Sequence, residues 1–230
     1  MRPRLTAALV ERVHRTVEDT GPEPDRVHLT DEDYARLAQE MLALNGAGQD
    51  LWLFAYGSLI WKPACEVAEQ RQAVARGWHR SFCLKLTRWR GTVERPGLMM
   101  ALDRGGQCRG VLYRIPAEHA VERMELLLRR EMSYWPPANV PTWLLVRTTD
   151  GPLRALGFTV NRRHSAYAGR LPLDEVADVL ATAVGHLGSG AEYLCNTVEH
   201  LEAIGIRDVN LWQLQEMVAE RILAATSSAA

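Results

Sequence analysis

The chain has 230 residues, a formal net charge of −1 and 47% hydrophobic residues, enough for one or two domains with a sizeable core and no need of disulfide staples. The near-neutral charge gives no electrostatic drive toward nucleic acid or an anionic membrane. No apolar run approaches the roughly 20 residues that span a bilayer, and "MRPRLTAALVERVHRT" lacks the continuous apolar centre of a secretory leader, so the expectation is a soluble, cytoplasmic protein.

Leu5, Leu9 and Val13 form an apolar stripe that predicts a helix over 4–18. "DTGPEPDRVH" carries two prolines and a glycine and reads as irregular. Thr30 and Asp33 make a capping-box start for a second helix, whose stripe is Tyr34, Leu37, Met41 and Leu42 and which "NGAGQD" ends. These first fifty residues read as a helical extension packed on a core domain over 51–225, with a frayed tail at 226–230.

From residue 51 the pattern turns to strands. "LWLFAY" reads as a short buried strand, "AVARGWHRSFCLKL" as containing another, and "LMMAL" and "CRGVLYRI" as two strands around a "DRGGQ" hairpin turn. A helix over 117–132 follows, with Pro116 suited to its first turn. "TWLLVRT" and "LRALGFTV" pair around "TDGP". Three further helices are predicted in "LDEVADVLATAVGHL", "AEYLCNTVEHLEAI" and "NLWQLQEMVAERIL". Many strands around one central helix, flanked by helices, do not follow the alternation of a doubly wound sheet. The fold class read from them is α+β, with a curved sheet or small barrel.

Three groups of residues could carry chemistry. Tyr56-Gly57-Ser58-Leu59 interrupts an apolar run. Gly57 lacks a Cβ and could take positive φ, so successive N–H groups could form a nest for a carboxylate. Spacing alone favours a plain strand-ending turn. Glu131 lies three and four residues beyond Leu128 and Leu127 of the stripe Val121, Met124, Leu127, Leu128. That phase puts a carboxylate on the buried side of a helix C-terminus, where desolvation and the dipole both raise its pKa, as suits a general acid/base. A plain ion pair with Arg129 or Arg130 is the competing reading, and both stay open. In "WRGTVERPG", Arg90 and Arg95 flank turns around Glu94. They could clamp a substrate carboxylate, although a surface ion pair fits the spacing better.

Other chemistries lack their signatures. The seven histidines make no His-x-x-x-His, and no phosphate-cradling or nucleophile-elbow motif occurs. Cys65, Cys83, Cys108 and Cys195 stand far apart and read as free thiols. No metal or cofactor is expected.

Taken in order, "YGSL" at 56–59, "GWHRSFCL" at 77–84, "RGTVERPGLMMALDRGGQCRGVLYRI" at 90–115, "LLRREMSYW" at 127–135, "YAG" at 167–169 and "EYLCNTVEHLEAIGIRD" at 192–208 resemble the ChaC-type γ-glutamylcyclotransferases. The resemblance runs from about 51 to 215. It implies a small mixed β-barrel with helices around it, and cyclisation of the γ-glutamyl group of glutathione to 5-oxoproline with release of Cys-Gly. It also implies that Tyr56, Gly57, Ser58 and Leu59 bind the γ-glutamyl moiety, that Glu131 is the acid/base, and that Tyr167 belongs to the substrate site, to which Arg90 is added as the carboxylate clamp of its loop. Val93 departs from the family, which often has proline after "RGT". The same cyclisation on another γ-glutamyl amine or dipeptide, a non-catalytic γ-glutamyl-binding module, and a thiol-dependent transferase using Cys65 or Cys83 are the alternatives.

Overall fold

The structure, a computed structural model, describes residues 3–22 and 26–227. Thr6 caps α1 (Ala7–Glu11), far shorter than the helix predicted over 4–18. Of its stripe only Leu5 is buried, and Leu5 precedes the helix. Without a buried face, a short helix has little to extend it. The "DTGPEPDRVH" stretch ends in β1 (Val27–His28), which pairs antiparallel with β5 (Tyr134–Trp135). The start predicted at Thr30 forms as a full capping box on α2 (Asp31–Ala43).

Then follow β2 (Leu51–Ala55), the single turn α3 (Ser58–Trp61), β3 (Glu69–Leu86) and β4 (Gly97–Ile115). After a 3-10 turn over Ala117–His119, which Pro116 caps, comes α4 (Ala120–Glu131). β5 is followed by β6 (Asn139–Thr148), β7 (Gly151–Val160), α5 (Leu173–Thr182), β8 (Val184–Gly185), β9 (Gly188–Ser189), α6 (Gly190–Ala203) and α7 (Val209–Ser227).

Several boundaries correct the sequence reading. "DRGGQ" is not a hairpin turn: β4 runs straight through it, with Gly105 and Gly106 at φ 111° and 66°. Two positive-φ glycines in a row suit a type I′ hairpin, but here both lie within one continuous strand. The helix predicted over 173–187 stops at Thr182. Beyond it the amide of Leu187 donates to the carbonyl of Trp89, and a Cβ on Gly185 would lie 2.3 Å from that carbonyl oxygen, so this segment is shaped by packing rather than helical phase. On α4, Val121 is exposed and Ala120 takes its place beside Met124, Leu127 and Leu128. Thr226 and Ser227 belong to α7 rather than to a frayed tail, and 228–230 lie outside the described residues.

The chain divides into two compact units. One comprises the described residues of Met1–Gly21, Ser81–Met100 and Ser165–Ala230. Within it α5, α6 and α7 pack on one another, and α1 joins α6 and α7. Gln215, fully buried on α7, accepts from the amides of Arg4 and Leu5 through its Oε1 at 2.8 Å each, tying the N-terminal segment down.

The other unit, Pro22–Arg80 and Ala101–His164, holds β2, β6, β7 and most of β3 and β4. These strands close a barrel in the order β2-β4-β3-β6-β7. β2 runs antiparallel to β4, from Leu51↔Ile115 to Ala55↔Val111, and closure is made by the parallel contact Leu53↔Leu156 with β7. Phe54, Leu102, Leu112, Leu156 and Phe158 are fully buried in its core. The α+β class and the small barrel therefore form as expected. At Gly110 the strands approach closely: a Cβ there would meet Ala55 O at 2.5 Å and the Phe54 ring at 2.8 Å. Gly110→Ala is predicted to force these neighbours apart, costing about 1–3 kcal/mol and lowering Tm by roughly 3–10 °C in calorimetry. An unchanged Tm would show that the β2–β4 contact has slack.

Candidate active site

β2 carries a buried run, Leu53, Phe54 and Ala55, to Tyr56, which is itself only 7% exposed. The Tyr56 hydroxyl donates to the Phe158 carbonyl on β7 at 2.8 Å. Its own carbonyl accepts from Arg80 Nε at 2.6 Å. Arg80 is buried and also donates through Nη2 to the Arg109 carbonyl on β4. The end of β2 is thus pinned to three other barrel strands before the chain turns into α3.

Gly57 does not adopt the left-handed conformation that its glycine identity suggests. It sits at φ −139° and occupies the N-cap position of α3. Its carbonyl accepts from the Ile60 amide at 2.9 Å, and that of Ser58 from the Lys62 amide at 2.7 Å. The first amides of such a turn have no intrahelical acceptor. Leu59 is buried and anchors the turn.

Glu131 is the last residue of α4, and its side chain is 15% exposed. Met124, Leu127 and Leu128 are fully buried on the same face, and Met132 follows at 2%. The position is fixed from α2 as well, where the Tyr34 hydroxyl donates to the Met132 carbonyl at 2.7 Å. Burial pushes the Glu131 carboxyl above the ordinary carboxylate range, and the Arg130 guanidinium, whose Nε lies 3.4 Å from Glu131 Oε1, draws it part of the way back. Both readings of the sequence thus describe this residue: it pairs with Arg130, and its charge is still disfavoured.

Arg130 reaches beyond this pair. Its Nη2 donates to Ser58 Oγ at 3.1 Å and its Nη1 to the Lys62 carbonyl. The side chain joins the carboxylate at the end of α4 to both ends of the α3 turn.

In the other unit, Arg90 is 11% exposed. It donates through Nη1 to Glu192 Oε2 at 2.6 Å and to the Ser189 carbonyl at 2.8 Å, and its guanidinium carbon lies 5.5 Å from the Tyr193 ring centroid. Its ion pair joins a mostly buried guanidinium to a Glu192 side chain that is 42% exposed, a partner outside the 89–97 loop. Arg95 and Thr92 close their turn with mutual hydrogen bonds of 2.9 and 3.1 Å. Tyr167 is half-buried and bridges to Leu84, flanked by Lys85 N–H to Ala166 O and Ala168 N–H to Cys83 O, both at 2.8 Å.

Two arginines escaped the sequence reading. Arg80 escaped because the inside–outside alternation of β3 changes phase at Gly77, which has φ 79°. Ala73 and Ala75 point inward before it, and Arg80, Phe82 and Leu84 after it. A strict period of two puts Arg80 outside. Arg130 entered only as one of two ion-pair partners for Glu131. A helix phase three residues past Leu127 was its one local sign, and the hydrogen bond to Ser58 spans 72 residues of chain. Among the described residues, no group of three or more His, Cys, Asp or Glu side chains could hold a metal ion.

The ChaC-like protein family model matches residues 51–221. This chain belongs to that family. It is 40% identical over 162 residues to the glutathione-specific γ-glutamylcyclotransferase of Escherichia coli (strain K12), covering 70% of this chain and 69% of that one. It is 32% identical over 165 residues to glutathione-specific γ-glutamylcyclotransferase 1 of Mus musculus, covering 70% and 74%. A crystal structure of a yeast γ-glutamyl cyclotransferase specific to glutathione shares the fold, with a TM-score of 0.66 and 24% identity over 74% of this chain and 96% of that one. No helix among the described residues is long and apolar enough to cross a membrane.

The four cysteines differ in access. None of the four is in a disulfide, and Cys83, Cys108 and Cys195 are buried while Cys65 is half-buried. Burial and the neighbouring Glu199 carboxylate push the Cys195 thiol up to about 12. Limited alkylation of the native protein at about pH 8, read by mass spectrometry, is predicted to label Cys65 ahead of the other three, because reactivity follows thiolate fraction and access. Labelling of Cys195 first would contradict its burial.

Proposed function

We propose that the protein is a γ-glutamylcyclotransferase that converts glutathione to 5-oxoproline and Cys-Gly, with Glu131 as the single general acid/base. The observation that carries the role of Glu131 is its desolvated position at the end of α4, joined through Arg130 to the turn that opens with Tyr56-Gly57-Ser58-Leu59. The names of the relatives carry the choice of substrate.

The reaction needs no protein nucleophile. The α-amine of the substrate attacks its own γ-carbonyl carbon, a C–N bond to that amine forms, and the C–N bond to the cysteinyl nitrogen breaks. The first requirement is conformational. A flexible γ-glutamyl chain must be held folded, and well-oriented intramolecular reactions gain up to roughly 7–11 kcal/mol from such restraint. In this reading the 56–59 segment supplies it. The backbone of Gly57, Ser58 and Leu59 faces the substrate, while Tyr56 holds the segment to the barrel. The pinning of Tyr56 by Phe158 and Arg80 supports this reading, because a site on a fixed backbone positions its ligand more sharply than one on a loose loop.

The second requirement is a proton shuttle. The α-amine is mostly protonated at neutral pH and cannot attack in that form. The Glu131 carboxylate takes that proton, and the attacking nitrogen gives up a second as the ring closes; both protons end on the cysteinyl nitrogen, which departs as an ammonium group, so the residue ends in its starting state. A raised pKa favours both halves of the cycle, since the base is stronger and the acid is available near neutrality. Four thiols outside any disulfide support a reducing, cytoplasmic setting. The domain that performs the reaction is taken to be 51–225, with the first fifty residues as an extension to it.

Incubation of the pure protein with glutathione, without added metal, is predicted to yield 5-oxoproline and Cys-Gly in equal amounts. A preference for another γ-glutamyl amine in a competition assay would reassign the substrate and leave the chemistry in place. Glu131→Gln is predicted to abolish turnover while keeping the fold, and near-wild-type product formation would overturn the assignment. The stability effect has a definite sign. The folded carboxyl binds its proton more tightly than the unfolded one, so its burial carries no penalty below the unfolded pKa and its full penalty above the folded pKa. Glu131→Gln should therefore raise Tm near neutrality, by roughly 2–4 °C for each kcal/mol relieved, and leave it unchanged in acid.

A further inference from the structure

We infer that Arg130 is a positioning residue for the reaction: one guanidinium holds the acid/base carboxylate and the substrate-binding turn in a fixed relation. This rests on the reading of Glu131 given above. The geometry is specific. Nε faces Glu131 Oε1 at 3.4 Å, Nη2 donates to Ser58 Oγ at 3.1 Å, and Nη1 donates to the Lys62 carbonyl. All three guanidinium nitrogens are therefore engaged by groups of the candidate site. The side chain is 23% exposed; its contact to Ser58 is partly buried and that to the Lys62 carbonyl is exposed. The planar fork of arginine makes this possible, and a lysine ammonium has neither the reach in three directions nor the fixed angles.

Two consequences follow. The first is geometric. Ser58 opens α3 and Lys62 closes it, so Arg130 clamps the turn at both ends. A turn of four residues has little rigidity of its own, and an error of about 1 Å in a reacting geometry can cost on the order of a hundredfold in rate. The second is electrostatic. Among the described residues, Arg130 supplies the charge that acts on Glu131. From α2, Tyr34 contributes its hydroxyl to the neighbouring Met132 carbonyl, and α3 presents the Ser58 hydroxyl and the Lys62 carbonyl to Arg130. Removing the Arg130 charge takes away the one influence that favours the carboxylate form, whereas lysine at this position keeps a charge and loses the clamp.

The test compares pH profiles of kcat/KM for wild type, Arg130→Gln, Arg130→Lys and Glu131→Gln with glutathione, with Tm recorded for each. Arg130→Gln is expected to lower kcat/KM by roughly ten- to a hundredfold and to move the acidic limb to higher pH, because the uncharged form of Glu131 persists further. Arg130→Lys is expected to lower kcat/KM while its acidic limb stays close to that of wild type, a split that a merely structural defect does not produce. An Arg130→Gln profile that keeps both the height and the limb of wild type would overturn the inference and leave the role of Glu131 standing. An active Glu131→Gln variant would overturn both. If Arg130→Gln does not fold, Arg130→Lys decides alone: a wild-type kcat/KM in that variant contradicts the clamp.

Discussion

Glu131 sits where two effects oppose its charge, the loss of water and the negative end of α4, and where one guanidinium partly restores it. The rest of the candidate site is arranged around that balance. The buried stripe of α4 brings the carboxylate out of solvent. α2 fixes the end of the helix through the Tyr34 hydroxyl. Arg130 then couples the carboxylate to the turn that follows β2. A buried carboxylate in this position is expected to lower stability at neutral pH, a cost that fits the acid/base role proposed for it.

The barrel supplies the opposite quality, a backbone that does not move. Tyr56 ends β2 with hydrogen bonds to β7 and β3, and Arg80 extends the network to β4. Gly110 allows β4 to approach β2 within a distance that any Cβ would forbid. These contacts lie within a few residues of Ser58, so the α3 turn leaves a fixed strand end on one side and is held by Arg130 on the other. Rigid elements that present a short turn are a common way to give a binding segment a definite shape.

Much of this was legible in the sequence, for reasons that can be named. The capping box at Thr30, the Asp150-Gly151 signal between β6 and β7, and the apolar phase of α4 are local patterns with local physical causes. Glu131 could be placed on a buried face from Leu127 and Leu128 alone. The order of short motifs from Tyr56 to Asp208 pointed to the family whose model matches residues 51–221. What stayed hidden depends on contacts between distant residues. The glycine pair in "DRGGQ" has the composition of a hairpin, yet β4 continues through it from Gly97 to Ile115. The phase change at Gly77 concealed Arg80. The reach of Arg130 to Ser58 has no signature in the residues around either one.

The central claim is that Glu131 carries a raised pKa in the folded protein and that this ionisation governs turnover. Carbon-13 NMR titration of glutamate-labelled protein, with Glu131→Gln to assign the signal, measures that pKa directly, and the acidic limb of kcat/KM with glutathione measures its effect. The account predicts a value above the ordinary carboxylate range that coincides with the kinetic limb. A Glu131 that titrates at or below the ordinary value, or a kinetic limb that ignores it, would contradict the account.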